Sequence, residues 1–209
     1  MFKKELLFWN VDTQFDFMNN EGKLYVPDSE LILPLLKRIT SFAKEANIQV
    51  VNSADHHFPD AKELSDTPDF ISTFPPHCMA NSAGADYMDE VEPENASILK
   101  WDRSYSSKEI ETMTKSRNLV ILKDVFDVFE GNPNTSNLVK ILAPKSVFVY
   151  GVTTNVCVNC AVCGLAKQGI QVFVIEDAIK ELPNIPLPFD KWDALGVNRI
   201  QFSEIDNFL

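Results

Sequence analysis

The chain has 209 residues, 45% hydrophobic and 23% charged, and its 30 acidic side chains outnumber 19 basic ones for a net charge of −11. That length suits one domain with a sizeable core, spanning residues 1–209. The acidic balance argues against nucleic-acid binding and against docking on anionic lipid, both of which call for a basic face.

Residues 5–11 read as a first strand, a continuous apolar run of the kind buried on both faces of a parallel sheet. Asp28 is placed to cap a helix in which Leu31, Leu35, Leu36, Ile39 and Phe42 recur at helical spacing, with Pro34 in its early turns. Residues 48–52 form the next strand. Two irregular stretches follow, residues 58–76 with four prolines and residues 84–116, which are acidic and then mixed in charge. Strands are expected at residues 119–122, 146–152, 170–175 and, more weakly, 198–202, and helices at 135–142 and 154–168, the latter ended by Gly169. Strands alternating with helices predict a three-layer α/β domain. Its mostly parallel central sheet of about six strands carries helices on both faces.

No run approaches the roughly 18 apolar residues of a membrane helix. The apolar stretch after Lys3 and Lys4 is interrupted by Asn10 and Asp12, so it is too short for a signal-peptide core. A cytoplasmic protein with a small-molecule partner is expected, with a homo-oligomer left open. Cys78, Cys157, Cys160 and Cys163 are then free thiols or ligands rather than a disulfide frame.

Open parallel sheets bind ligands beyond the carboxyl ends of their strands. Asp12, Asp55, Lys123 and the 153–157 turn all fall at or just past such ends. Cys157 is expected in the first turn of a helix, where unpaired N–H groups favour a thiolate and can hold an oxyanion; taken alone, it also reads as a small buried hydrophobe. Asp12 could serve it as base and Lys123 as charge stabiliser, against the plainer readings of a turn residue and a solvated lysine. Asp55 and His57, two apart in an extended segment, project to one side. With His77 and Glu63 they offer a mixed nitrogen and oxygen set suited to one zinc, manganese or iron ion, against a loop ion pair as the alternative. Cys157-x-x-Cys160-x-x-Cys163 also matches part of an iron–sulfur run, with Cys78 as the available fourth thiolate.

Several ordered motifs resemble the isochorismatase-like cysteine hydrolases, and within them the nicotinamidase/pyrazinamidase branch. They are Asp12-x-Gln14-x-Asp16-Phe17, Asp55-x-His57, Thr67-Pro68-Asp69, Phe74-Pro75-Pro76-His77-Cys78, Gly84-Ala85-Asp86, the turn from Gly151 to Val158, and Ile175-Glu176-Asp177-Ala178, the last expected just after its strand. The resemblance implies an Asp12, Lys123 and Cys157 triad, with Asp55, His57 and His77 as metal ligands. It also implies a cis peptide between Val152 and Thr153, an oxyanion hole from the Thr153 and Cys157 N–H groups, and ring packing by Phe17 and Phe74. The implied reaction hydrolyses nicotinamide, and plausibly pyrazinamide, to the acid and ammonia through a cysteine thioester. Another small amide or ureido substrate is the alternative, and an inactive scaffold or a thiol-rich metal-binding protein are the non-enzyme ones. The chain departs from the pattern in three places. Glu63 stands where some relatives have a further histidine, Phe74 where some have tryptophan, and Lys100, followed by Tyr105-Ser106, rivals Lys123.

Overall fold

The computed structural model describes residue 2 and residues 5–208; Lys3 and Lys4 lie outside the described residues. The apolar runs become strands and the periodic segments become helices. In chain order they are β1 (Leu6–Val11), α1 (Phe15–Met18), α2 (Leu33–Glu45), β2 (Gln49–Asp55), β3 (Ser97–Leu99), α3 (Ser107–Met113), β4 (Asn118–Lys123), α4 (Val128–Gly131), α5 (Thr135–Leu142), β5 (Ser146–Val152), α6 (Cys157–Lys167), β6 (Gln171–Lys180), α7 (Phe189–Ala194) and β7 (Asn198–Ile200). The strands form one sheet in the order β3-β4-β2-β1-β5-β6-β7. Every pairing is parallel.

Among the described residues the sheet therefore has seven strands rather than about six, and it is wholly parallel. The extra strand is β3, inside the stretch expected to be irregular. It is three residues long and sits at the sheet edge, so it leaves little periodic signal. Helix α3 follows in the same stretch, started by a capping box in which Ser106 and Glu109 satisfy each other's backbone N–H groups. Asp28 does not cap α2. It adopts a left-handed conformation (φ 61°) before a 3-10 turn at Ser29–Ile32, and its side chain makes no cap bond. Helix α6 begins at Cys157 rather than at residue 154, because residues 153–156 are consumed by the turn that leaves β5.

Strand β6 runs on to Lys180, so Glu176 and Asp177 lie inside it and not beyond it. The register explains why: Val149 pairs with Val174 but Gly151 pairs with Ile179, and β6 bulges between these points. Gly151 sits opposite with φ 112°, its backbone pressed against the Val11 carbonyl where a Cβ has no room. The close approach draws the end of β5 onto the end of β1.

Both faces of the central strands are buried. Phe8 and Phe148 are fully enclosed, and Phe148 stacks on Phe173 with ring centroids 4.7 Å apart. Burial of each such ring contributes roughly 1.5–3 kcal/mol. At the centre of the sheet the chain crosses from one side of β1 (toward β2) to the other (toward β5). That is the switch point at which parallel sheets open a crevice past their carboxyl ends.

Candidate active site and metal cluster

Four strand ends meet at that crevice. Asp12 follows β1, Asp55 ends β2, Lys123 ends β4 and pairs directly with Asp55 in the ladder, and the 153–157 turn follows β5. All four positions are buried. The Lys123 Nζ lies 3.0 Å from Asp12 Oδ2 and also donates to Asp55 Oδ1. Acid oxygens of Asp12 and Asp55 and the Cys157 sulfur come within 4.8 Å of one another. Lys100, the rival lysine, is exposed just past the end of β3, so Lys123 is the lysine of this cluster.

Electrostatics fixes the charge state of the group. Burial disfavours the Lys123 ammonium, but Asp12 and Asp55 outweigh it and hold its pKa well above the usual lysine range. Burial alone would raise Asp55; Lys123 and the neighbouring imidazoles instead keep it well below the usual carboxylate range. Asp12 is different. Burial and the Asp55 charge raise it despite Lys123. The Cys157 thiol is pushed well above its ordinary value, by burial first and then by Asp12, against the opposing pull of Lys123. The direction is opposite to that expected of a thiolate prepared by the helix terminus, and dehydration of the enclosed sulfur is its largest cause.

The peptide between Val152 and Thr153 is cis. Thr153 accepts the Val156 and Val158 N–H groups through its carbonyl, at 3.1 and 3.0 Å. Neither the Thr153 nor the Cys157 N–H finds an acceptor among the described residues, and both residues border the same small cavity. Two free donors beside a sulfur are the ingredients of an oxyanion hole.

Next to Asp12, Lys123 and Cys157 lies the histidine cluster. His57 and His77 Nε2, Asp55 Oδ2 and Glu63 Oε1 approach one another within 4.8 Å, all in fully buried side chains. His57 Nε2 is 3.1 Å from Glu63 Oε1, and His77 Nε2 is 3.5 Å from Asp55 Oδ2. Ligands about 2.0–2.1 Å from a tetrahedral metal stand about 3.3 Å apart, so the spacing is that of a coordination shell. Asp55 Oδ2, His57 Nε2 and Glu63 Oε1 have no hydrogen-bond partner. Buried polar atoms orphaned together call for a shared cation. His77 holds its ring by Nδ1 against the Pro75 carbonyl at 2.8 Å, the outer support that ligating histidines use. The residues therefore fit a divalent ion.

Without the ion, burial pulls the His57 imidazole down, but Asp55 and Glu63 more than offset this and raise its pKa to about 9. Metal and proton must compete for that nitrogen. At pH 7, zinc uptake should release about one proton per chain and its apparent affinity should rise tenfold per pH unit toward pH 9. Calorimetry in buffers of different ionisation enthalpy measures the proton count; uptake without proton release would remove His57 from the ligand set.

The cavity between the two clusters is narrow, with about 10 Å³ of free volume, roughly what one water molecule needs. Its apolar walls are Phe17, Leu24, Phe74, Phe126, Val156 and Leu182. Phe17 meets His77 edge-on at 5.2 Å, and Phe74 touches both His77 and Phe126. Phe126 was not singled out in the sequence. Its only signal is a position three residues past Lys123, in a segment without periodic pattern.

Gln14 stands in the first motif, but the sequence assigns it no role. Its side chain accepts the Asp55 N–H and donates to the Asp55 and Ala85 carbonyls, at 2.7–2.8 Å, so it sets the backbone at the end of β2. Asp16 does the same for the loops, accepting from Lys23 and Cys78 backbone N–H groups. Cys160 and Cys163 lie on the continuous helix α6, where Cys163 bonds the Asn159 side chain at 3.2 Å. Cys78 is tied by its backbone to Asp16 in a separate loop. Cluster-binding runs of this spacing lie in loops, so the continuous helix argues against an iron–sulfur site, as the helical pattern of the stretch already does.

Comparison with known proteins agrees with this geometry. The family model for the isochorismatase domain matches residues 102–184. The nicotinamidase/pyrazinamidase of Mycobacterium tuberculosis (strain ATCC 25618 / H37Rv) is 25% identical over 173 residues, 80% of this chain and 82% of that protein. Over residues 102–184 the chain is similar to the isochorismatase domain, and over most of its length it is similar to a nicotinamidase/pyrazinamidase. Solved structures show the same fold. The pyrazinamidase of Pyrococcus horikoshii in complex with zinc superposes with a TM-score of 0.72 at 23% identity, covering 95% of this chain and 99% of that one. PnC1 from L. infantum in complex with nicotinate gives 0.70 at 21% identity, covering 97% and 96%. The parallel sheet, with its switch point beside β1, brings the polar residues at the ends of β1, β2, β4 and β5 together. No helix among the described residues is long and apolar enough to cross a membrane.

Proposed function

We propose that the chain is a metal-dependent cysteine amidohydrolase that converts nicotinamide and water to nicotinate and ammonia. One observation carries this reading: a buried Asp12–Lys123–Cys157 cluster faces a set of four potential metal ligands across a narrow slot with aromatic walls. Relatives named for nicotinamide and pyrazinamide chemistry, one solved with zinc and one with nicotinate, support the choice of ring. Release of nicotinate would place the chain in pyridine nucleotide salvage in the cytoplasm.

Phe17, Phe74 and Phe126 sandwich and edge the ring and exclude water. Asp55, His57, Glu63 and His77 would hold a divalent ion, which would supply a Lewis acid for the ring nitrogen. Asp12 takes the Cys157 proton as the sulfur attacks the amide carbon. The raised pKa of Asp12 makes it a stronger base than an ordinary carboxylate, which the raised Cys157 thiol requires. The Thr153 and Cys157 N–H groups hold the oxyanion. Lys123 stays cationic and keeps the cluster from accumulating negative charge. Asp12 then protonates the departing ammonia and a thioester remains. Water attacks the thioester, Asp12 accepts its proton, and nicotinate leaves as Cys157 regains its hydrogen.

The test is ammonia release from nicotinamide, pyrazinamide and a panel of small amides and ureido compounds, before and after chelation. Nicotinamide should lead the panel, and chelation should remove turnover that added zinc, manganese or iron restores. Preferential hydrolysis of a non-aromatic amide, indifferent to chelation, would overturn both the ring and the metal assignments.

A further inference from the structure

We infer that Ser53 is the positioning residue for Asp12, and that Tyr87 braces it from the segment that follows the metal loop. The inference rests on the amidohydrolase reading and assigns work to two residues outside the triad and the metal cluster.

Ser53 lies within β2, fully buried, two residues before the strand's terminal Asp55. A hydroxyl inside a strand buried on both faces needs a partner. It finds one across the strands: Ser53 Oγ donates to Asp12 Oδ1 at 2.6 Å. The Ser53 carbonyl accepts the Asp12 N–H at 3.1 Å, so one residue grips Asp12 by both backbone and side chain. The grip has something to hold. Asp12 has φ 49°, in the left-handed region that costs a non-glycine residue energy, and its neighbour Thr13 is bonded to Asn10. Nothing in β1 itself would keep the carboxylate facing Cys157.

The division of the two oxygens matters most. With Oδ1 engaged by Ser53, Oδ2 is left facing Lys123 Nζ at 3.0 Å, and a carboxylate oxygen of Asp12 lies within 4.8 Å of the Cys157 sulfur. If the hydroxyl is removed, the carboxylate can turn about its last bond and offer both oxygens to Lys123. It then becomes a plain ion pair that no longer points at the thiol. Tyr87 closes the arrangement from outside, where its hydroxyl donates to the same Ser53 carbonyl at 2.9 Å. Its backbone pairs with Gln14, the residue that sets Asp55. The segment from Gly84 onward thus fastens β1 and β2 at the base.

Ser53→Ala should lower kcat about tenfold or more, the size of a lost buried hydrogen bond to a charged group, with KM within about twofold of the parent. Ser53→Thr, which keeps the hydroxyl, should recover most of that loss, and Ser53→Cys, which keeps the volume with a weak donor, should not. Tyr87→Phe should give a smaller fall of the same kind. A second readout needs no amide substrate: the rate at which iodoacetamide modifies Cys157, followed on its peptide by mass, should slow in Ser53→Ala by a similar factor. If the parent fails to hydrolyse nicotinamide, the functional reading falls, while the modification rates still decide the role of Ser53. Rates in folded Ser53→Ala and Ser53→Cys within twofold of the parent, in kcat and in modification, would overturn the inference. Equal loss in Ser53→Thr and Ser53→Ala would do so as well.

Discussion

Cys157→Ser should reduce amide hydrolysis by on the order of 10³-fold or more, while circular dichroism and bound metal stay at parent levels. Serine matches cysteine in shape, so the buried position at the start of α6 is refilled without strain. What changes is the nucleophile: the hydroxyl is far harder to deprotonate than a thiol already raised by burial, and Asp12 is not basic enough to do it. Cys160→Ala is the matched control on the same helix. Cys160 is half-buried, its thiol is pushed up to about 12 by burial, and it lies a turn further from the cavity. Its loss should cost about 1 kcal/mol of stability and leave turnover within about twofold. An active Cys157→Ser variant would remove the nucleophile from the account.

The largest effect on stability is expected at Lys123. Its ammonium is fully buried between Asp12 and Asp55, and Lys123→Met would strand two carboxylates that the fold cannot hydrate. Breaking such a pair from one side costs about 3–5 kcal/mol. The sign with pH is fixed by the direction of the shift. Because the folded pKa lies above the unfolded one, this stabilisation is whole at neutral pH and fades only as pH rises through the alkaline range. Urea unfolding at pH 7 should therefore show the full loss, together with loss of turnover. A stability change under about 1 kcal/mol would mean that the carboxylates are satisfied without the lysine. In parallel, Lys100→Met should change neither quantity, since Lys100 is solvated.

The chain's pattern carries the site further than its detail. Each of Asp12, Asp55, Lys123 and Cys157 is legible because it stands where a continuous apolar run stops, and parallel sheets put ligands there. The four-ligand cluster is legible in part: Asp55-x-His57 is a local pattern, but Glu63 and His77 reach it through a proline-rich loop with no periodicity. That loop's course is set by long-range ties, such as the Glu63 carboxylate accepting the Phe126 N–H at 2.5 Å. Strand β3 and helix α3 escape the reading because three residues make no pattern and a cap box in a charged segment looks like loop. Ser53 is signalled only weakly, by a polar residue in a strand buried on both faces. Its partner lies 41 positions away, and no spacing rule reaches that far. The Cys157 thiol is the instructive error. Position on a helix argues one way and enclosure the other, and how deeply a side chain is buried is a property of the assembled fold.

The central claim is a covalent acyl group on Cys157, and hydroxylamine intercepts such a group directly. During nicotinamide turnover by the zinc-loaded chain, added hydroxylamine competes with water for the thioester and leaves as the hydroxamate, returning the free thiol. The account predicts that hydroxamate appears in proportion to hydroxylamine at the expense of nicotinate, with ammonia release undiminished and both products absent in Cys157→Ser. Ammonia and nicotinate formed at the parent rate with no hydroxamate at any hydroxylamine concentration would contradict it.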